Sequence, residues 1–217
     1  MPRRPARRGP APTLERERAW WSDGACVAGV DEVGRGAWAG PVTVAAVALD
    51  PARRVLKLRD SKLLPPAERT RLAARLREAG AGIGLGHASN HEIDRLGMSA
   101  ALRLAARRAV DALPRTPEVC LVDGNWDLLE GYGTTNERLV GGDARCASIA
   151  AASIVAKVAR DALMVAASRS HPAYAFAANK GYPAPAHRAA LAEDGPCGLH
   201  RHSWAPIVAA RQARLPW

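Results

Sequence analysis

A chain of 217 residues, 48% hydrophobic and 24% charged, is long enough for one domain with a sizeable core and too apolar to be disordered throughout. Its 31 Lys and Arg against 21 Asp and Glu leave a formal charge of +10, which points to a polyanionic partner such as nucleic acid or an anionic membrane surface. Four scattered cysteines without CxxC spacing exclude a disulfide scaffold and imply reduced thiols in a cytoplasmic setting, and the longest apolar run, VTVAAVAL, is too short to span a membrane.

In chain order, the first eighteen residues carry Arg3, Arg4, Arg7, Arg8, Arg16 and Arg18 against Glu15 and Glu17, and read as a disordered basic arm over residues 1–18. ACVAGVDEV predicts a strand. After the GRGAWAG turn, PVTVAAVAL predicts a second strand, long enough to form an antiparallel hairpin with the first. Pro65 and Pro66 open a helix with Leu72 and Leu76 one turn apart and Gly80 as its stop. GIGLGHAS predicts a third strand. Ser89 with Glu92 fits a capping box, and beyond Gly97 a helix runs to Leu113 with Leu102, Ala105, Ala109 and Leu113 on one face.

EVCLVDGN predicts a strand ending in Asp123, and TTNERLVGGD a further strand ending in Asp143. The run from Ser148 to Ser170 predicts a long helix whose buried face is Ile149, Ala152, Val155, Ala159 and Leu163, closed by Pro172. Two short helical patterns, PAPAHRAALAEDG and APIVAARQA, follow KGYP. Strands mixed with helices imply an α/β fold, with a domain over 19–185 and a C-terminal helical extension over 186–217 packed on it.

A divalent cation needs several hard oxygen ligands, and Asp31, Glu32, Asp123 and Asp143 each close a predicted strand beside a Gly-rich turn. Parallel neighbours would gather them. Adjacent strand residues face opposite ways, so Asp31 and Glu32 reach one cluster only if the strand ends or bulges at Glu32. Gly34, Gly36 and Gly40 follow a strand, but their spacing and the strand behind them do not suit a dinucleotide fingerprint. Ser153 with Lys157, one helical turn apart, reads as packing before nucleophile chemistry, and Cys197, His200 and His202 lack a second cluster to complete a zinc site. His87 and His91 lack the glutamate of HExxH.

DEVGRG, DSK (Asp60 to Lys62), LVDGN, GGD, the SIAAASIVAKVARD helix, KGYP and HRHSW stand in one order, and by this set the chain resembles the type 2 ribonuclease H (ribonuclease HII) family over nearly its whole length after the arm. The resemblance implies a ribonuclease H-like fold with a mixed central β-sheet flanked by helices. It implies an endonuclease that uses Mg²⁺ or Mn²⁺ in a two-metal mechanism, cuts RNA in RNA·DNA hybrids and incises duplex DNA 5′ of embedded ribonucleotides. Ribonucleotide and primer removal would be its tasks, and 3′-OH and 5′-phosphate its product ends. By position, Asp31, Glu32, Asp123 and Asp143 match the metal-binding acids. Gly34, Arg35 and Gly36 match the strand-junction loop, and Tyr182 the tyrosine beside the ribose. Ser61, Lys62 and Lys180 are further substrate contacts, and the HRHSW segment is expected as a lid over the hybrid-binding face.

The chain departs from the family pattern at Gly141 and Leu63, where lysines are usual, and at Asn179, where a histidine is usual. Each removes positive charge near substrate and leaves the four acids in place. A monomer with no membrane association is expected. Two other readings stand beside this one: a metal nuclease acting on DNA junctions, and a non-catalytic basic nucleic-acid-binding module.

Overall fold

The computed structural model describes residues 11–53, 58, 61 and 64–213, so Asp60, Lys62 and Leu63 lie outside the described residues. Strands β1 (Val27–Val33) and β2 (Val42–Ala48) form the expected antiparallel hairpin, in continuous register from Gly29↔Val47 to Val33↔Thr43. β3 (Gly82–Ala88) joins β2 antiparallel, while β4 (Val119–Asp123) and β5 (Thr135–Leu139) run parallel to β1 on its other side. The order is β3-β2-β1-β4-β5, a mixed five-stranded sheet as expected.

Alternation along the strands divides the core between two faces. Ala28, Val30, Val44, Ala46, Cys120 and Val122 pack under α3 (Asn90–Leu96) and α4 (Met98–Asp111). Ala45 and Val47 pack under α2 (Pro66–Glu78) and α5 (Ala147–Ala167), with Val27, Val119 and Leu121 beside Ile149. Helix backbones come close because the sheet offers small residues. A Cβ added to Gly84 or Gly86 would lie 1.9 or 2.0 Å from the carbonyl oxygen of Ala109 or Ala105, so these two glycines of GIGLG serve helix docking.

The capping box at Ser89 forms as predicted, with Glu92 bonded back to the Ser89 backbone. The face predicted for α5 holds only in its first half. Ile149, Ala152 and Val155 are buried, but Leu163 is 43% exposed, and the buried stripe continues instead through Ala156, Arg160 and Met164.

The disordered arm expected over residues 1–18 is corrected at its C-terminal end, where helix α1 (Glu15–Trp21) begins, while residues 1–10 lie outside the described residues. Thr13 donates its N–H to Arg145 O at 3.0 Å and accepts from Ala147 N–H at 2.9 Å, which seats the segment against the start of α5. Glu17 is fully buried, and its Oε1 accepts the Ser148 N–H at 2.7 Å. The N-cap of α5, Cys146, makes no side-chain cap, so Glu17 supplies the missing acceptor from another helix. At the other end, α6 (Phe176–Asn179), α7 (Pro185–Asp194) and α8 (Ala205–Gln212) follow α5. A small core of Ala39, Met164, Tyr174, Phe176 and Ala190 joins the first two of these to the end of α5.

Candidate active site

Parallel pairing of β1 with β4 brings Val30 opposite Val122, so the next residues, Asp31 and Asp123, emerge side by side. Asp143 arrives differently from the strand end expected for it. β5 stops at Leu139, and a left-handed Gly141, φ +65°, turns the chain into the short 3₁₀ turn Gly142–Ala144 that presents Asp143 ahead of α5. Glycine adopts that left-handed conformation without steric cost. Asp123 Oδ1 accepts the Gly142 N–H at 2.7 Å, tying the second acid to the turn of the third. Carboxylate oxygens of Asp31, Asp123 and Asp143 all lie within 4.8 Å of one another, with Asp31 and Asp143 buried.

Glu32 is not brought into this triad. The strand end or bulge expected at Glu32 does not occur, because β1 stays in register with β2 through Glu32↔Val44 and Val33↔Thr43. The charge of Glu32 nonetheless acts on Asp31 more strongly than those of Asp123 and Asp143. Its backbone N–H does contribute, donating to Asp31 Oδ1 at 2.8 Å.

Burial, together with the charge of Glu32 and the weaker repulsion of Asp123 and Asp143, pushes the Asp31 carboxyl well above its usual range, against a hydrogen bond from Ser153. Three mutually repelling carboxylates, two of them buried, fit a cation, since positive charge removes both the repulsion and the lack of solvation. The hydroxyl of Ser153 also lies 2.8 Å from that of Ser61, which is buried behind Asp31 and so is not placed as the phosphate contact expected of it. Arg69 fastens that segment by donating to the carbonyls of Ser61 and Leu64 at 3.0 and 2.6 Å. Ser153 and Lys157 are not a nucleophile pair: Lys157 binds Asp161 at 2.7 Å.

The loop after β1 presents Arg35 and Gly36 exposed and Gly34 buried. Trp38 N–H donates to Gly181 O at 2.8 Å, joining this loop to the KGY turn. The Tyr182 ring is half-buried, with the Arg160 guanidinium 5.3 Å and the Lys157 ammonium 6.0 Å from its centroid. Lys180 takes a left-handed backbone, φ +54°, and its Nζ turns back to the Ala177 carbonyl. Asn179 braces the turn by donating to Tyr174 O at 2.7 Å and accepting from Gly181 N–H at 2.8 Å, so the residue that replaces a histidine has a structural task.

Lys62 lies outside the described residues. The triad is the sole grouping of metal-ligand type among the described residues, and the Cys197, His200 and His202 grouping is not of that kind. The HRHSW segment reaches beneath the loop after β1 through Arg201. Neither Arg160 nor Arg201 was singled out by the pattern of residues. For Arg160 a signal existed, because it continues the i, i+4 stripe Ala152, Ala156, Met164.

A family model described as Ribonuclease HII matches residues 28–207. The chain is similar to a ribonuclease HII of Streptomyces avermitilis, 50% identical over 205 residues that cover 94% of this chain and 88% of that one. Among solved structures it is similar to the ribonuclease H2 from Pyrococcus horikoshii OT3, with a TM-score of 0.74 at 24% identity, covering 86% of this chain and 97% of that one. It is also similar in fold to Bst-RNase HIII in complex with Mn²⁺, with a TM-score of 0.65 at 22% identity, covering 87% of this chain and 70% of that one.

Proposed function

The chain belongs to the ribonuclease HII family, a family of ribonucleases H acting on RNA in RNA·DNA hybrids, and from that premise we propose a divalent-metal-dependent endonuclease that also incises duplex DNA 5′ of an embedded ribonucleotide. The observation that carries this reading is the meeting of the Asp31, Asp123 and Asp143 carboxylates within 4.8 Å. A divalent cation bound there supplies Lewis-acid stabilisation of the charge that grows on the scissile phosphate. The protein residues supply the rest. Asp31, Asp123 and Asp143 would hold the cation, the Gly142 N–H fixes one Asp123 oxygen, and Ser153 and the Glu32 N–H orient Asp31. Glu32 is proposed as a further acid of the site on family grounds.

Recognition falls to the loop three residues beyond Asp31. Gly36 has nothing within 4 Å of the position a Cβ would take, so its backbone is open to a sugar edge, and the exposed Arg35 suits an adjacent phosphate. Tyr182, held by the same loop network, offers a ring face to the ribose. A non-catalytic module would have no use for three clustered acids that repel one another. Both Mg²⁺ and Mn²⁺ accept an all-oxygen set, and both are proposed. Among the described residues no helix is long and apolar enough to cross a membrane.

Mapping the cut on a DNA duplex with one ribonucleotide, with Mg²⁺, with Mn²⁺ and with chelator, tests the reading. A single metal-dependent nick 5′ of the ribonucleotide, leaving 3′-OH and 5′-phosphate, is expected. Equal cutting of an all-DNA junction would favour a junction nuclease instead, and cleavage that survives chelation would overturn the role of the triad.

A further inference from the structure

Two arginines lie fully buried beneath the loop that follows β1, and neither forms an ion pair among the described residues. Arg160 donates through Nε to Pro41 O at 2.8 Å, through Nη1 to Lys180 O at 2.9 Å and through Nη2 to Ala39 O at 3.2 Å. Arg201 donates through Nε to Gly40 O at 3.2 Å, through Nη1 to Arg35 O at 2.9 Å and through Nη2 to Gly34 O at 2.7 Å. Each guanidinium is therefore held by carbonyl dipoles and an aromatic face, Tyr182 for Arg160 and Trp204 for Arg201. Burial pulls both below the usual arginine value, with Arg160 adding to the effect on Arg201.

Burying two like charges this way opposes folding, since apolar residues of similar volume would ordinarily serve stability better. What the arrangement does achieve is direction. A planar trans peptide points its C=O and N–H opposite ways, so carbonyls of Gly34 and Arg35 drawn inward to Arg201 turn the N–H groups of Arg35 and Gly36 outward. Neither N–H has an acceptor among the described residues. Gly34 makes the approach feasible: it has φ +93°, and a Cβ there would meet Arg160 Nε at 2.1 Å. Arg160 carries the same frame to the second loop, by holding the Lys180 carbonyl while its guanidinium lies 5.3 Å from the Tyr182 ring centroid.

We propose that Arg160 and Arg201 are positioning residues for ribonucleotide recognition: a pair of buried guanidiniums that clamps the carbonyls of the Gly34–Arg35–Gly36 loop and of Lys180, and so aims two backbone N–H groups at the nucleotide beside the acid triad. This rests on the nuclease reading above for its substrate. Arg201→Lys keeps the charge but loses the planar fork that reaches Gly34 and Arg35 together.

Three measurements on the full chain test it. On a duplex with one ribonucleotide, Arg201→Lys is expected to lower kcat by about 30-fold, the scale of one lost charged hydrogen bond, with KM moved by about twofold or less. Hydrogen exchange in residues 34–41 is expected to rise by about tenfold or more while β4 keeps wild-type protection. In Arg201→Ala, added guanidinium ion is expected to restore part of the lost kcat. Leu72→Ala, in the core away from both loops, serves as a comparison at matched loss of melting temperature. Wild-type kcat and exchange in Arg201→Lys would overturn the proposal, as would an equal fall in kcat for Leu72→Ala. If the wild-type protein leaves the ribonucleotide duplex uncut, the nuclease reading fails, and the exchange measurement still decides whether the clamp holds the loop.

Discussion

His187 and His200 meet through their Nε2 atoms at 2.9 Å, both fully buried, beside Tyr174 and Phe176. The contacts assign their protons. His187 Nδ1 lies 2.8 Å from the Tyr182 carbonyl, which only accepts, so Nδ1 carries the hydrogen and Nε2 accepts. His200 Nε2 is then the donor, and its Nδ1 accepts the Cys197 N–H at 3.0 Å. Two neutral imidazoles thus link the Cys197 backbone to the carbonyl of Tyr182.

Acid should break this chain. Burial pulls His200 down to about 4, with His187 adding to it, and burial lowers His187 as well, against 6.5 for the unfolded group. Between those values the unfolded chain binds more protons than the native one, so stability falls as pH falls through that window. For His200 alone the loss at pH 5 is about 2 kcal/mol. Urea midpoints at pH 7.5, 6 and 5 check this, with a shallower decline expected for His200→Gln.

Asp31→Asn should abolish cleavage while stabilising the metal-free fold. The native pKa of Asp31 is raised above its unfolded 3.8, so at neutral pH its ionised form opposes folding, and an amide removes that opposition. A higher melting temperature in chelator is expected. Mg²⁺ or Mn²⁺ at ten times Kd should stabilise the wild type by about 1.4 kcal/mol and the variant by less. A lower melting temperature for Asp31→Asn would contradict the repulsion described at the triad.

Ser153→Ala removes the hydroxyl that bonds Asp31 and leaves the buried Ser61 hydroxyl without that partner. A stability loss of about 1 kcal/mol is expected, with weaker metal binding as the companion effect. Thermal shift across a Mn²⁺ titration reads both quantities from one series.

Two glycine substitutions should behave oppositely. Gly86→Ala places a Cβ 2.0 Å from the Ala105 carbonyl oxygen, backbone against backbone, and should cost about 3 kcal/mol or more. Gly36→Ala meets nothing within 4 Å and should change stability by about 0.5 kcal/mol or less, while lowering cleavage beside a ribonucleotide by about tenfold. Equal melting losses in the two variants would count against this division of labour.

Much of the fold was legible because its signals are local. The β1–β2 hairpin, the Ser89 capping box and the core of α5 follow from alternation, end residues and helical spacing within single segments. The neighbourhood of Asp31 and Asp123 was legible for a related reason, since adjacent parallel strands deliver residues in register to one edge, whereas Asp143 reaches them from a 3₁₀ turn. The regular pairing of β1 through Glu32 excludes the bulge expected there, and pairing is a property of two strands, which the sequence of one does not display.

Glu17 shows the limit more sharply. Its neighbours in sequence are arginines, and its partner is the Ser148 N–H, 131 positions away.

By itself, the sequence determined the elements, the sheet class and the acids that a cation would need. Only the tertiary structure decided which charges are buried. A charge enters a core when enough oppositely polarised groups surround it, and here those groups come from loops at residues 34–41 and 180 and from the start of α5. Periodicity reports what a segment would bury alone, whereas the burial of a charge depends on partners brought from elsewhere in the chain.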